Sequence, residues 1–246
     1  MQESPLSLND KTAIIYGPAH SITQGIGSFL VDQGADVGFV GPDAGALSKF
    51  AENLSETRQI RPNSGRAAAF IAKNTQVEEC NDAISRVAET FGGTDIFIDT
   101  HMDSIESQAW QGSPQQIMTE TALKFLAGRK RGRMLLLSSC FTLDPKTWKL
   151  TPNETSGLEY VLKALKSQIV ETQMTVNALR IGITEEFLLR SARGKTLKEG
   201  LTQLQKLIPG FQLVEAFDVS SVVGFMVSPI SAGINGQMIN ISRGFE

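Results

Sequence analysis

Three glycines near the start of the chain are the first candidates for ligand binding. Gly17, Gly25 and Gly27 lie between an apolar run, Thr12–Tyr16, and a segment with helical spacing of its apolar residues. Glycines at such a junction let the backbone approach a dinucleotide pyrophosphate, which the amino end of the following helix then holds. The same glycines would also let a helix pack closely on a sheet, and their spacing alone leaves both interpretations open.

A tyrosine and a lysine in the second half of the chain have the side chains needed for acid/base chemistry. Tyr160 and Lys163 are three residues apart and share a segment with the apolar residues Leu158, Val161 and Leu162. We therefore place them on the apolar face of a helix and keep a displaced catalytic pair as the alternative.

The histidines and cysteines do not predict a metal site or a disulfide scaffold. His20 and His101 have no histidine or cysteine at the spacings typical of metal ligands. The two cysteines, Cys80 and Cys140, are too few for a disulfide framework, which favours a cytoplasmic location. Although Cys140 follows Ser139 directly, we expect it to be a buried structural thiol.

A basic cluster, residues 129–133, contains four cations in five residues and precedes an apolar segment. Charged runs of this kind usually form solvated surface. We expect a solvated turn here, with a contact to a phosphate or to coenzyme A as the alternative.

Short apolar segments alternate with helix-length amphipathic segments along the whole chain. Strands that are apolar throughout and separated by helices predict a parallel sheet covered on both faces. We therefore predict an α/β fold with a doubly wound parallel sheet, formed by residues 1–246 as a single domain. The predicted strands are Thr12–Tyr16, Val37–Val40, Ala67–Ala72, Asp95–Ile98, Met134–Leu137, Thr175–Leu179 and Met238–Ser242.

Composition excludes several classes of protein. The chain has 246 residues, 41% of them hydrophobic, which is enough for a large core. Its net charge of −3 argues against nucleic-acid binding, which usually requires a basic surface. The first residues show neither a basic segment nor an apolar stretch, so we expect no signal peptide, and the apolar runs are too short to span a bilayer.

Four segments in order resemble motifs of the short-chain dehydrogenase/reductase family. Gly25–Gly27 looks like the end of its glycine-rich loop, and Gly132–Ser139 looks like its Gly-Arg-Ile-Val-x-Ile-Ser-Ser strand. Met174–Gly182 is similar to Ile-Arg-Val-Asn-Ala-Val-x-Pro-Gly, and Gly233–Gly244 is similar to the family's C-terminal glycine motif. The resemblance spans residues 11 to about 243. It implies a Rossmann-like sheet, an NAD(P) cofactor and hydride transfer to or from a carbonyl or alcohol carbon.

The resemblance also implies a catalytic serine, tyrosine and lysine, of which only the serine is retained, as Ser139. Counted back from the Asn177 motif, the tyrosine and lysine positions fall on Thr151 and Thr155. The longer tyrosine–lysine spacing of the related enoyl reductases would place Trp148 at the tyrosine position. A tyrosine hydroxyl, with an ordinary pKa of about 10, can exchange protons once a nearby cation lowers that value, whereas a threonine hydroxyl cannot.

The local sequence predicts that Thr151 caps a helix. The segment Thr151–Glu154 has a capping threonine, a proline at the first helical position and a glutamate at the third. This pattern predicts a capping box that starts a long helix from about Pro152 to Glu171.

Several positions that contact the cofactor in the family also differ. Gly41 and Pro42 follow the second strand, where an acidic residue would hold the ribose, and Asp43 is a late substitute. Lys73–Asn74 replaces an Asp-Val pair, Asp99–Met102 replaces Asn-Asn-Ala-Gly, and Ile181 replaces a proline. The larger side chains after the fourth strand are expected to crowd the cofactor cleft.

We therefore expect no catalytic residue and no bound cofactor in this chain, and treat Gly17, Gly25 and Gly27 as vestigial. The leading hypothesis is a non-catalytic subunit of a hetero-oligomer, expected as a tetramer. An intact paralogue would bind NAD(P) and supply the activity. In its pattern of losses the chain resembles the non-catalytic subunits of heteromeric family members, such as the one in anaerobic toluene degradation.

Two other hypotheses remain open. One is an active oxidoreductase with relocated acid/base residues, with Ser139 acting beside Tyr160 or His101. The other is a regulatory module that senses a ligand in the old cleft without catalysis.

Overall fold

A computed structural model describes residues 5–60, 63–72, 76–102, 110–129, 131–144, 146–147, 149–191, 197–207, 210 and 212–244. Nine strands and eight helices lie in these ranges. The strands are β1 (Thr12–Tyr16), β2 (Asp36–Gly41), β3 (Ala67–Ile71), β4 (Ile96–Asp99), β5 (Arg133–Ser139), β6 (Phe141–Leu143), β7 (Leu150–Pro152), β8 (Thr175–Ile181) and β9 (Met238–Ile241). The helices are α1 (Ser21–Asp32), α2 (Ala44–Ile60), α3 (Val77–Phe91), α4 (Pro114–Ala127), α5 (Ser156–Ser167), α6 (Glu185–Ser191), α7 (Leu197–Leu207) and α8 (Ala216–Val227).

Seven strands form one parallel sheet in the order β3-β2-β1-β4-β5-β8-β9. Strand order reverses between β1 and β4, whose last residues, Tyr16 and Asp99, are paired in register. In sheets of this topology ligands bind in the crevice at the carboxyl ends of the strands on either side of the reversal. The predicted doubly wound parallel sheet is confirmed.

Two apolar layers cover the sheet, because successive strand residues point to opposite faces. Ile14 and Tyr16 of β1 face a layer built from helices α3, α4 and α5, whereas Ala13 and Ile15 face α1, α2 and α8. The first and last residues of all seven predicted strands differ from the observed ones by at most two positions. The apolar pattern was sufficient to locate them because both faces of the sheet are buried.

The predicted start of the long helix is wrong. Helix α5 begins at Ser156 and ends at Ser167, while Thr151 lies in β7, an antiparallel partner of β6. The hairpin of β6 and β7 fixes Thr151 opposite Thr142, and the Asn153 N–H donates to the carbonyl of Cys140 at 2.8 Å. These long-range backbone bonds hold the segment extended, so the local capping pattern does not start a helix there.

No helix in the described ranges is both long and apolar enough to cross a membrane.

Helix α1 lies directly on the sheet at Gly27, which generates a stability prediction. A Cβ at this position would overlap the ring of Phe39, a fully buried residue of β2. We expect Gly27→Ala to lower the free energy of unfolding by about 1–3 kcal/mol, as overpacking in a core does. Chemical denaturation with circular dichroism measures this change.

Gly45→Ala is the matched control, since Gly45 lies in helix α2 and its added Cβ would meet only Asp43 Oδ1, at 4.0 Å. There the higher helix propensity of alanine should raise stability by about 0.5–1 kcal/mol. Equal effects of the two substitutions would contradict the close packing of α1 on β2.

Candidate functional site

The amino end of helix α1 lies in the crevice between β1 and β4, and a histidine of the chain caps it. Nδ1 of His20 accepts the Thr23 N–H at 3.1 Å. Since Nδ1 accepts, Nε2 carries the ring proton and donates to the carbonyl of Thr100 at 2.9 Å. His20 is 4% exposed, so this capping imidazole is buried.

A carboxylate reaches the same helix end from far along the chain. Oε2 of Glu186, in the first turn of α6, accepts from the Ser21 N–H at 3.0 Å and lies 3.3 Å from the Ser21 hydroxyl. The free N–H groups and dipole of a helix amino end favour a negative charge at this place. In this chain Glu186 supplies that charge.

The side chain of Thr100, the residue after β4, lies against the glycine loop. Gly17 has a φ of +149°, and a Cβ added to it would overlap the Thr100 hydroxyl. That hydroxyl donates to the carbonyl of Tyr16 at 3.2 Å and lies 2.9 Å from the hydroxyl of Thr23. A side chain at position 17 would collide with Thr100, so glycine is needed there for the close approach of another segment of this chain.

Gly25 and Gly27 serve helix packing. A Cβ at Gly25 would lie 2.8 Å from the Cβ of Ala216, at the start of α8, and one at Gly27 would overlap Phe39. Of the two interpretations that spacing left open for these glycines, the geometry supports close packing.

Three groups of the chain itself lie around the amino end of α1, where a Rossmann-like fold holds a dinucleotide pyrophosphate. The carboxylate of Glu186 would repel a pyrophosphate, His20 occupies the helix end, and Thr100 lies against the glycine that a phosphate would approach. The site is filled by the protein itself.

Ser139 lies at the carboxyl end of β5, where the sequence placed it, but its hydroxyl is already bonded. Its Oγ donates to the carbonyl of Phe141 at 2.8 Å and accepts the Phe141 N–H at 3.2 Å. The residue is 6% exposed. These bonds hold the start of the hairpin rather than leaving the hydroxyl free for a substrate.

Thr151 and Thr155 are not brought together as a helical pair. Thr151 is exposed in β7, and Thr155 precedes helix α5, with its hydroxyl donating to Glu159 Oε1 at 2.7 Å. Neither side chain has an acid/base group.

Tyr160 and Lys163 do not lie on the apolar face of α5, so that part of the prediction is wrong. Tyr160 is 53% exposed and Lys163 is also exposed, while Leu158, Val161 and Leu162 are buried. The apolar stripe is narrower than the predicted one, since it excludes the residues on either side of Val161 and Leu162.

An aspartate–histidine pair that the sequence analysis did not recognise lies at the end of β4. Asp99 is fully buried, and its Oδ1 accepts from Nδ1 of His101 at 2.8 Å and from the His101 N–H at 2.9 Å. Gln115 of α4 donates to Oδ2, and the His101 ring contacts that of Tyr16 with centroids 4.6 Å apart. Because Nδ1 donates to the carboxylate, Nε2 of a neutral His101 is a proton acceptor. The sequence signal that could have revealed this pair is the Asp-x-His spacing of Asp99 and His101 at the end of an apolar strand.

Other predicted positions have local roles or lie outside the described residues. Asp43, considered for ribose binding, accepts the Ala46 N–H at 3.2 Å at the start of α2. Lys73–Asn74 and Trp148 fall outside the described ranges. Within the ranges described, no three metal-ligating side chains are clustered.

The two cysteines are buried in the described structure, as was expected for Cys140. Burial is the main cause that raises the pKa of Cys80 to about 11, with a smaller contribution from Glu79. A thiol with such a pKa is protonated and unreactive at neutral pH.

Comparison with known proteins gives full-length but distant similarity. No family model matches the chain. The chain is 20% identical over 253 residues to 3-oxoacyl-[acyl-carrier-protein] reductase FabG of Vibrio harveyi, covering 97% of this chain and 98% of that protein. It is 24% identical over 259 residues to 2-dehydro-3-deoxy-D-gluconate 5-dehydrogenase of Bacillus subtilis, covering 97% and 96%.

Solved structures show the same fold. A variant of actinorhodin polyketide ketoreductase with NADPH superposes with a TM-score of 0.75 at 18% identity, covering 99% of this chain and 98% of that one. A short-chain type dehydrogenase/reductase from Mycobacterium ulcerans gives 0.77 at 19% identity, covering 97% and 90%. The fold is therefore Rossmann-like, and the comparisons support the short-chain dehydrogenase/reductase family as the one that this chain resembles.

Proposed function

We propose that this chain is a short-chain dehydrogenase/reductase that does not transfer hydride itself and acts as the non-catalytic subunit of a hetero-oligomer. An intact paralogue of the same family would bind NAD(P) and carry the acid/base residues. The full-length similarity to proteins named as reductases and dehydrogenases supports the family. The observation that carries the loss of activity is the filled amino end of α1.

The filled site acts against a dinucleotide in two ways. A pyrophosphate would have to displace Glu186 from the Ser21 N–H and would otherwise lie beside a like charge. It would also have to replace the buried bonds of His20, whose removal leaves buried donors and acceptors without partners. Both costs reduce affinity before any contact with the rest of the cofactor forms.

The absence of a catalytic pair supports the same conclusion. Thr151 and Thr155 stand where the resemblance implies tyrosine and lysine, and the segment between them is not helical. The hydroxyl of Ser139 is bonded to Phe141. The positions to which the resemblance assigns tyrosine and lysine thus offer no group to move the proton that accompanies hydride transfer.

Apolar side chains on the surface support association with another subunit. The resemblance assigns subunit contacts to the helices after the fourth and fifth strands and to the C-terminal strand region. Tyr160 of α5 is exposed, and so are Phe217 and Phe225 of α8 and Ile230, which precede β9. Burying such side chains in an interface is favourable.

One prediction of this proposal concerns cofactor binding. We expect the isolated chain to show no heat and no change of nicotinamide fluorescence with NADH or NADPH up to millimolar concentration, because Glu186 and His20 occupy the pyrophosphate position. Isothermal titration calorimetry and fluorescence titration measure this. Tight binding by the isolated wild type would contradict the proposal.

A matched pair of variants tests the contact itself. Glu186→Gln removes the charge at the amino end of α1, and we expect it to lower the free energy of unfolding by about 0.3–1 kcal/mol. Glu185→Gln changes the neighbouring exposed residue, which also lies in the first turn of α6, and should have a smaller effect. Equal effects would show that Glu186 does not cap α1.

A further prediction concerns the partner. Co-expression with a paralogue from the same genome that retains Tyr-x-x-x-Lys should give a mixed oligomer, detected by native mass spectrometry. Ile230→Glu should weaken it, since Ile230 is 54% exposed near the C-terminal strand region. Ile71→Glu is the control, because Ile71 is similarly exposed on the edge strand β3. Two stable homo-oligomers that do not exchange subunits would overturn the proposal.

The Asp99–His101 pair favours one second candidate, an active oxidoreductase with His101 as acid/base. A buried carboxylate that orients a histidine is a common arrangement for proton transfer, and the pair lies at the carboxyl edge of the sheet.

A turnover assay separates the two functions. We expect the isolated chain not to oxidise NADPH with 3-oxoacyl-[acyl-carrier-protein], the substrate in the name of one relative. Turnover that is lost in His101→Asn and kept in Tyr160→Phe would instead establish the second candidate.

A further inference from the structure

A cavity of about 530 Å³ opens at the amino edge of the sheet, opposite the crevice at α1. It lies between the starts of β1, β4, β5 and β8 and the segment after α8. Lys11, Arg131 and Arg133 line it together with one carboxylate, Asp95, and several apolar side chains. Cavities of this size bind small organic molecules in many proteins.

Arg133 is buried in the wall of this cavity, so its expected place in a solvated turn is wrong. The residue is 8% exposed, whereas Arg129 of the same cluster is exposed. Nη1 of Arg133 donates to the carbonyls of Arg131, Gly132 and Gln173 at 3.0, 3.1 and 3.3 Å. Three carbonyls thus fix the guanidinium from one side.

One donor of the same guanidinium is unmet. Nε of Arg133 is buried and has no hydrogen-bond partner, and within the described ranges no carboxylate pairs with the side chain. Burial, and to a lesser degree the charge of Arg131, lowers the pKa of Arg133. Arginine nevertheless stays charged at neutral pH, so a buried cation and a buried donor both lack a counterpart.

Asp95 does not supply that counterpart. Its Oδ2 accepts the Thr12 N–H at 3.1 Å, which holds the carboxylate on the backbone of β1. The cavity therefore has an excess of positive charge, with Lys11, Arg131 and Arg133 against one carboxylate.

We propose that this cavity binds a small organic anion, whose carboxylate or phosphate oxygens accept from the guanidinium of Arg133 and from Arg131. Charge-assisted hydrogen bonds from a guanidinium to such oxygens are stronger than bonds between neutral groups. Apolar residues such as Leu8, Ile96 and Met174 also line the cavity and would contact an apolar body of the ligand. An aromatic or aliphatic acid or monophosphate fits this chemistry.

This site is separate from the filled crevice. The cavity is at the starts of the parallel strands, whereas Glu186 and His20 act at the ends of β1 and β4. A ligand here would not compete with a dinucleotide, so the proposal stands or fails independently of the proposed function.

Thermal shift and calorimetry test the proposal, with phenyl phosphate, benzoate and inorganic phosphate as probes and sodium chloride at matched ionic strength as reference. We expect Tm to rise with phenyl phosphate or benzoate beyond the effect of chloride. Arg131→Gln and Arg133→Lys should each weaken binding about tenfold or more, because each removes charge-assisted bonds. Arg129→Gln, which removes an exposed charge of the same cluster outside the cavity, should leave affinity unchanged.

A direct readout follows the same guanidinium. In ¹⁵N-labelled protein the Nε–H resonance of Arg133, assigned by its absence in Arg133→Lys, should shift on addition of phenyl phosphate. If Arg133→Lys does not fold, the affinity measured for Arg131→Gln tests the proposal alone. The proposal is overturned if chloride has the same effect as the probes, if Arg129→Gln weakens binding as much as Arg131→Gln, or if NADH displaces the probe.

Discussion

The partial positive charge at the amino end of helix α1 needs an acceptor, and in this protein the chain provides it. His20 satisfies the Thr23 N–H from within the loop, and Glu186 satisfies the Ser21 N–H from α6. The same imidazole is bonded to the carbonyl of Thr100 after β4. One helix end thereby joins the glycine loop, the end of a neighbouring strand and a helix that lies 165 residues away in sequence.

The sequence was sufficient to predict the strands of the sheet, but it was not sufficient to predict the contacts in the crevice at α1. The two outcomes have different physical reasons. Buried parallel strands such as β1 and β5 are apolar at most positions, so composition alone locates them. The contact of Glu186 with Ser21 depends on how α6 packs, which no local pattern encodes. The hairpin of β6 and β7 was missed because its long-range backbone bonds oppose the local helix signal at Thr151.

The two edges of the sheet differ in a way that the fold alone does not predict. Ligands of doubly wound sheets usually bind at the carboxyl edge. Here that edge holds satisfied groups, such as the His20 imidazole and the Ser139 hydroxyl. At the opposite edge Arg133 keeps a buried donor without a partner. Strand order alone therefore does not indicate which polar groups already have partners within the chain.

The hairpin also determines how side chains at positions 151 and 155 can be arranged. Side chains four residues apart are neighbours, roughly 6 Å apart, only on a helix, and an extended chain separates the same positions by up to about 13 Å. Because β7 and the residues after it are not helical, tyrosine at 151 and lysine at 155 would not form a working pair. Two codon changes would therefore not place a tyrosine and a lysine in the helical arrangement of the family. The backbone from Phe141 to Thr155 would have to be rebuilt first.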